Sequence, residues 1–266
     1  MIWFDRARIP NGRWPFLLTA YNSLKRLEES QVPNVDLTEG TGALTITGCL
    51  EAYRQAVNGR VIDLSQAIVA AWNGRCPIGA IVCGRALLET LAMFHSLLKQ
   101  AESAATRRDW IRIGKLVDAY AFSVGSSHKR PSGEHPPRVG TAVIDFIRST
   151  EPGAEKFWSQ ICDTAHPNGK RMMSYAGELR DLRFEAHLAG KVEGELFIAV
   201  FNCLSSCNWL VSANEKFDIL LEQIRTGDSL PKDHPLMVEK ARVDELVQKM
   251  VAEFGRHMHV GPEEKK

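Results

Sequence analysis

The chain has 266 residues, of which 44% are hydrophobic and 24% charged, a composition typical of a globular protein that excludes wholesale disorder. Its formal net charge is +1 at pH 7, so no general electrostatic attraction to nucleic acid or anionic lipid is expected. The first residues do not form the apolar run of a signal peptide, and the six cysteines include no CxxC pair. We therefore expect a cytoplasmic protein with free thiols.

The first half of the chain shows apolar residues at helical spacing. Asn58-Gly59 is expected to separate two of its helices, because both residues favour turns over helix interiors. Pro77 is suited to the first turn of another helix, where a missing N–H does little harm. A loop rich in Pro and Gly is predicted over 31–42. The helices predicted here span 14–29, 43–57, 61–72, 77–100 and 106–122.

The helix at 77–100 is apolar on nearly every face, which predicts a central position in a bundle. It carries Arg85 and Glu89 near its middle. Two charges at that depth argue against a membrane span and favour a buried core helix.

The second half begins with a segment of low apolar content and three prolines, residues 124–138, which we interpret as a flexible loop. Around residues 172–188 apolar and charged residues alternate with the period of a strand, which indicates a small β-hairpin. Helices are predicted over 141–148, 153–165, 193–224 and 236–254. The sequence thus predicts an all-α fold, a single domain over 1–266 with about eight helices and one possible hairpin.

Arg85 and Glu89 are four residues apart, so their side chains share one helix face. The surrounding apolar residues would draw both into the core, where an unpaired charge costs several kcal/mol. They are therefore expected to pair. Such a pair could fix helix register, or it could belong to a ligand-binding or catalytic site.

A second group of polar residues closes the helix predicted at 153–165. Cys162 and His166 share a helix face, and Pro167 ends the helix directly after His166. The imidazole would then lie near free carbonyls at the helix C-terminus, a place that favours its charged form. His166 either caps its own helix or joins Arg85 and Glu89 in one polar cluster, and we predict the second arrangement.

These two segments resemble a family of uncharacterised bacterial helical proteins. The family pattern is an Arg-x-x-x-Glu helix followed by Tyr-x-x-Leu-Ser-Glu-x-x-His-Pro-Asn. This chain departs from it by having Trp158 for Tyr, Ile161 for Leu, Cys162 for Ser and Asp163 for Glu. The resemblance implies a helical fold and a site built from Arg85, Glu89, Cys162, Asp163, His166 and Asn168.

A weaker similarity in spacing connects the chain to HEPN-type helical ribonucleases, whose signature is an Arg followed by four to six residues and a His. Arg130 and His135 fit the spacing in a proline-bound loop, and Arg180 and His187 fit it with six residues between them. The second pair would share a face only on a helix, since residues seven apart on a strand point to opposite faces.

Metal binding is another possibility that the cysteines raise. Cys162 with His166, and Cys203 with Cys207, form two pairs four residues apart that could hold zinc between facing helices. Buried helical cysteines more commonly act as small hydrophobes. The chain also lacks a P-loop, GxGxxG, GxSxG, HExxH and the paired ExxH motif of di-iron bundles. We expect neither a metal nor an organic cofactor.

These observations favour a non-enzymatic helical module that binds a partner or a small ligand, or assembles as a homodimer, without a membrane partner. The alternative is a HEPN-like ribonuclease of a toxin or phage-defence system, which would use His166 or His187 with an arginine, the pair suggested by spacing being Arg180 and His187. Nucleic acid is an expected partner only under that alternative.

Overall fold

A computed structural model describes residues 1–9, 14–121, 136–150, 155–165, 177–181, 183–186 and 193–226. Within these ranges the chain forms a short 3-10 helix (Arg6–Arg8), a two-stranded hairpin and eight α-helices, which hold more than half of the 266 residues. The predicted all-α class is thereby confirmed. The helices are α1 (Trp14–Glu29), α2 (Ile46–Asn73), α3 (Pro77–Thr106), α4 (Trp110–Ala121), α5 (Val139–Thr150), α6 (Glu155–Ala165), α7 (Glu193–Ser205) and α8 (Cys207–Thr226).

The chain groups into two compact units. Unit 1 comprises Met1–Pro33, Tyr53–Lys99 and Pro136–Asp218. Unit 2 comprises Asn34–Ala52, Gln100–His135 and Ile219–Lys266. Each is described by itself below, and the single domain over 1–266 stays a prediction.

Helix α2 is continuous where two helices, 43–57 and 61–72, were predicted, so the break at Asn58-Gly59 was wrong. Asn and Gly in a helix interior each cost at most about 1 kcal/mol relative to Ala. Here Asn58 is buried, and its side-chain oxygen accepts a hydrogen bond from Asn214 Nδ2 at 3.2 Å. A Cβ at Gly59 would lie 3.1 Å from Gln31 Nε2, so the small residue permits a close approach. Tertiary contacts therefore override the local turn preference.

Helices α2 and α8 run antiparallel within unit 1 along a seam of polar contacts. Arg54 forms an ion pair with Asp218, Asn58 contacts Asn214, and Ser65 Oγ lies 3.8 Å from Cys207 Sγ. As the α2 residue number rises, the α8 residue number falls by the same amount, which is the register of antiparallel helices. Paired polar groups at fixed levels specify one register over its neighbours.

The aromatic core of unit 1 is centred on Phe94 of α3. Its ring stacks on Phe217 with centroids 5.3 Å apart, and Trp209 meets both Phe94 and Phe146 edge to face. A second close contact joins Gly84 of α3 to Cys203 of α7. A Cβ added at Gly84 would come within 2.9 Å of Cys203 Sγ, so α3 and α7 touch through a glycine. These contacts place α3 centrally, as the sequence predicted.

The helix predicted over 193–224 is interrupted at one residue, Ser206, and forms α7 and α8. The Ser206 hydroxyl donates to the Asn202 carbonyl at 3.0 Å, and Trp209 N donates to the Ser206 carbonyl at 3.2 Å. A serine hydroxyl that donates to the carbonyl four residues earlier commonly bends a helix. A backbone hydrogen bond that spans three residues instead of four marks a local 3-10 turn. The composition of this segment is apolar on both sides of Ser206, which is why periodicity predicted a single helix.

Unit 2 contains the end of α3, helix α4 and the loop before α2. Helix α3 continues to Thr106 through buried alanines, and α4 begins at Trp110 instead of 106. Asp109 sets that start, because its carboxylate accepts from Arg112 N at 3.0 Å and so caps the first turn. Arg108 before it has a φ of +55°, which turns the chain between the two helices.

The loop over 31–42 was predicted correctly. Two carboxylates, Asp36 and Glu39, hold the part of this loop that belongs to unit 2 by accepting hydrogen bonds. Asp36 accepts hydrogen bonds from Thr38 N and Gly40 N, each at 2.9 Å. Glu39 accepts from Thr45 and Thr47 and pairs with Arg225 at 2.7 Å. This network fixes the start of α2 relative to the end of α8 inside unit 2.

The predicted hairpin near 172–188 is also present. Strand β1 (Gly177–Arg180) pairs antiparallel with β2 (Arg183–Ala186), with Leu179 opposite Phe184. Asp181 in the turn has a φ of +46°. The predicted helix at 236–254, and the loop at 124–138 up to residue 135, lie outside the described residues.

Two stretches are long and apolar enough to cross a membrane by length and composition alone, Pro77–Thr106 and Leu196–Arg225. The most apolar window of each is 44% buried inside the protein. Central helices of a folded core satisfy the same two criteria.

Candidate functional site

The Arg85–Glu89 pair predicted from the sequence forms on α3 in unit 1. Arg85 Nε donates to Glu89 Oε1 at 2.9 Å. The guanidinium also lies over the indole of Trp158 from α6, with Cζ 5.7 Å from the ring centroid. Trp158 and Ile161 are buried on the inner side of α6, and this places the indole against the charged pair. The contact is a cation–π interaction, in which Arg is the most common partner of Trp.

The environment of this pair differs from the one expected. The Arg85 and Glu89 side chains are 28% and 31% exposed, whereas the sequence placed both inside the core. The reason is geometric: the buried residues of α3, Leu87, Leu88 and Leu91, lie on the opposite side of the helix. Apolar neighbours in sequence therefore did not imply that Arg85 and Glu89 are buried, because those neighbours lie on other faces of the helix.

Cys162 lies beside the pair on α6, and Arg85 and Glu89 both act on it electrostatically. Burial raises the pKa of the Cys162 thiol, Arg85 lowers it, and Glu89 and Asp163 raise it, with a net increase. At neutral pH the group is therefore a protonated thiol, not a thiolate nucleophile. Asp163 is exposed on the next position of α6.

The described residues thus bring together four groups from two helices: the Arg85 guanidinium, the Glu89 carboxylate, the Trp158 indole and the Cys162 thiol. We call these four residues the α3–α6 cluster. His166 and Asn168, which the sequence assigned to the same site, lie outside the described residues. The convergence of His166 with Arg85 and Glu89 accordingly stays a prediction. Trp158 was noted only as a departure from the family pattern, yet it contacts Arg85 directly.

The pair suggested for a nuclease is described at only one of its two residues. Arg180 lies at the end of β1 and approaches Glu185 of β2, with Nη1 and Oε2 3.9 Å apart. Both side chains are well exposed. Arg180 and His187 would share a face only on a helix, and Arg180 lies in a strand. His187 lies outside the described residues.

Cys203 and Cys207, considered as zinc ligands, are both buried in unit 1. Burial raises the pKa of the Cys207 thiol to about 12 and that of Cys203 as well. Cys203 packs against Gly84, and Cys207 against Ser65. Among the described residues no group of three or more His, Cys, Asp or Glu side chains could hold a metal ion. In this part of the chain the two thiols act as small apolar side chains.

One polar contact in unit 1 was not anticipated from the sequence. His95 Nε2 lies 3.2 Å from Ser149 Oγ, and the His95 ring contacts Phe146 and Trp209. Ser149 Oγ also donates to the Phe146 carbonyl at 2.8 Å, which makes it a cap for the end of α5. Burial and the nearby Lys99 and Lys216 lower the pKa of His95, and Asp145 opposes this. A lone histidine in an apolar helix gives no sequence signal for a contact with a helix more than fifty residues away.

Comparison with known proteins does not assign this arrangement to a group: no family model, no curated protein and no solved structure matches the chain.

Proposed function

We propose that the protein is a non-enzymatic helical binding or assembly module, located in the cytoplasm, whose binding surface is the outer face of α3 with the adjoining α6. The observation that supports this proposal is the exposure of the Arg85–Glu89 ion pair. Both side chains are partly exposed, while the opposite face of the same helix is fully buried. A charged pair in that position is available to a partner while the helix that holds it is rigid.

The chemistry of the cluster supports recognition. A guanidinium, a carboxylate and an indole offer directed hydrogen bonds and a flat aromatic surface, and Arg and Trp are enriched where binding energy concentrates. The Cys162 thiol, on which Arg85 and Glu89 act electrostatically, is protonated because burial raises its pKa. Val82, one turn before Arg85, is 47% exposed and adds an apolar contact on the same face. These groups can bind; the described set contains no activated nucleophile beside them.

The proposal is tested by placing the photo-crosslinking residue p-benzoylphenylalanine at Val82 in the full-length protein and irradiating intact cells. We expect a covalent adduct with a macromolecule, visible as a species of higher mass. The same probe at Lys25, whose side chain is 56% exposed on α1, serves as the matched control and should give no such adduct.

A second arm asks whether the charged pair takes part. Adding Glu89→Ala to the Val82 probe should reduce the adduct, since the pair is part of the proposed surface. The proposal fails if Val82 yields no adduct, or if Val82 and Lys25 yield the same adducts in the same amounts.

A further inference from the structure

We infer that the partner bound by the outer face of α3 is a second copy of this chain, docked antiparallel about a two-fold axis. This inference rests on the proposed function and adds the identity of the partner. The surface concerned is the outer stripe of α3, defined as Val82, Arg85, Glu89 and Met93. These residues are three or four positions apart and share one face of the helix.

The stripe differs from the rest of α3 in its exposure. Val82 is exposed, and Arg85, Glu89 and Met93 are half-buried, whereas Leu87, Leu88, Leu91 and Phe94 are at most 1% exposed. The four residues thus form a continuous line along the helix that the described chain does not fully cover. In order they read apolar, cationic, anionic, apolar.

This order is its own complement when the helix is reversed. If two copies of α3 cross antiparallel at the level of residue 87, Arg85 of each copy faces Glu89 of the other. The same operation brings Val82 of each copy to within one residue, about 1.5 Å along the axis, of the level of Met93 of the other. A closed two-fold interface requires a surface that is self-complementary in this manner. A stripe of one charge sign would not meet the requirement, because like charges would face each other across the axis.

The existing ion pair is compatible with such an interface. A carboxylate offers about four acceptor positions, and a guanidinium carries five N–H donors in a planar fork. Glu89 can therefore retain Arg85 of its own helix, 2.9 Å away, while accepting from Arg85 of the other copy. The result is a closed arrangement of four side chains, Arg85 and Glu89 from each copy, in which positive and negative charges alternate. Such an order of charges also disfavours partners that would place like charges opposite each other.

The contact is small. Stable specific interfaces bury about 1,200 Å² or more in total, from about 20–30 residues on each side, and the stripe has four residues. We therefore expect a reversible dimer whose population depends on concentration. Sedimentation velocity over a range of protein concentrations should show a monomer that converts to a dimer.

Charge reversal provides the decisive experiment. Arg85→Glu leaves two acidic residues on the stripe, and Glu89→Arg leaves two basic ones. Each variant alone would face its own like charges across the two-fold axis, so we expect its dimer dissociation constant to rise more than about tenfold, equivalent to 1.4 kcal/mol. An equimolar mixture of the two variants pairs opposite charges at every position and should recover the dimer as a heterodimer.

Recovery on mixing cannot arise from a merely structural role of the pair, because each variant lacks the ion pair within its own helix. The matched control is the ion pair between Lys25 and Glu29, 3.6 Å apart and likewise four residues apart on one helix, α1. Lys25→Glu and Glu29→Lys should leave the wild-type dissociation constant unchanged. Circular dichroism melts establish that each variant is folded.

If either charge-reversed variant fails to fold, Val82→Asp replaces it, since this exposed position leaves the ion pair intact. Val82→Asp should weaken the dimer in the same experiment. The inference is overturned if the wild-type protein stays monomeric at all concentrations, if the α3 variants dimerise like the wild type, or if mixing restores nothing.

Failure of this inference is distinguishable from failure of the proposed function. A Val82 crosslink to a different protein, together with a monomeric wild-type chain, would overturn the two-fold dimer and leave the binding surface supported. The absence of any Val82 crosslink would overturn both.

Discussion

Helix α3 has two faces that come from the same largely apolar stretch of sequence and have different surroundings. The inner face, with Leu87, Leu88 and Leu91, is buried to within 1%. The outer face carries Arg85 and Glu89 at about 30% exposure, and Val82 at 47%. Both faces belong to one continuous helix whose apolar residues surround the two charges on every side in sequence.

The difference teaches that the energetic role of a residue on this helix depends on its face and not on its neighbours in sequence. Burial of apolar area stabilises the inner face by about 25 cal/mol per Å². The outer face contributes little of that kind and retains groups that can make contacts with a partner. Three substitutions on α3 test this division, and a fourth in unit 2 provides a comparison; they are ordered by their expected effect on the free energy of unfolding.

The largest effect is expected at the inner face. Leu88→Ala should lower the free energy of unfolding by about 2–5 kcal/mol, because it leaves a cavity at a fully buried position. Urea unfolding followed by circular dichroism measures this change. Val82→Ala, on the outer face of the same helix, is the control and should change stability by less than about 0.5 kcal/mol. Equal effects at the two positions would contradict the division into faces.

The sequence predicted these elements well where one signal dominated. The bounds of α1 matched, since an apolar stripe and a proline in the first turn agree. The hairpin was predicted because apolar and charged residues alternate there with a period of two, which is the period of a strand and differs from the period of about 3.6 residues in a helix. The errors lay where distant residues decide: Asn58 is held inside α2 by Asn214, and these two residues are 156 positions apart.

An intermediate effect is expected at a second ion pair, Glu39–Arg225 in unit 2, whose side chains are about as exposed as those of Arg85 and Glu89. The difference is that the Glu39 carboxylate also accepts hydrogen bonds from Thr45 and Thr47. Hydrogen bonds to a charged group contribute about 1.5–3 kcal/mol when buried, and here Arg225 is 46% exposed. We therefore expect Glu39→Gln to cost about 1–2 kcal/mol. A cost as small as that of an isolated surface ion pair would show that the two threonine hydrogen bonds add little to stability.

The pH dependence of this effect follows from its pKa. Partial burial alone would raise the pKa of Glu39, but hydrogen bonds from Thr47, Arg225 and Thr45 lower it. The stabilising contribution is therefore complete above the unfolded pKa of about 4.3 and is lost as the pH falls through the lower folded value. Wild type and Glu39→Gln should converge in stability when urea unfolding is repeated from pH 6 down to pH 3.

The site was predictable only in part. Helical spacing alone established that Arg85 and Glu89 would meet. Their exposure depends on which elements cover α3, and no local pattern encodes that. The contribution of Trp158 could have been suspected from its aromatic character on an amphipathic helix. The contact between His95 and Ser149 had no local signal, because it joins α3 to α5 through folding of the intervening chain.

A smaller effect is expected at His95 of α3, whose ring meets the aromatic core at Phe146 and Trp209. Burial and two lysines lower its pKa, so the folded protein prefers the neutral imidazole. The contribution to stability is present above the unfolded pKa of about 6.5 and decreases as the pH falls below it. We expect thermal stability to decline from pH 7.5 to pH 5 in the wild type, and to decline less in His95→Gln. Parallel profiles for the two proteins would contradict this assignment.

The smallest effect is expected at Glu89 itself. If the pair were buried, as the sequence suggested, Glu89→Ala would strand a buried Arg85 and cost about 3–5 kcal/mol. The exposure of both side chains instead makes it a surface pair within one helix, and such pairs contribute about 0.3–0.5 kcal/mol. We therefore expect Glu89→Ala to lower the free energy of unfolding by less than about 1 kcal/mol, measured on dilute, monomeric protein.

Glu29→Ala removes the comparable pair with Lys25, which is also four residues apart on one helix, and provides the matched control for stability. A loss of several kcal/mol in Glu89→Ala alone would place Arg85 in the core and end the distinction between the faces. A small loss in both variants, accompanied by weaker self-association only in Glu89→Ala, would separate two functions of the same kind of ion pair. On α1 the pair would then be a surface contact only, and on α3 a contact that also serves association with a second copy.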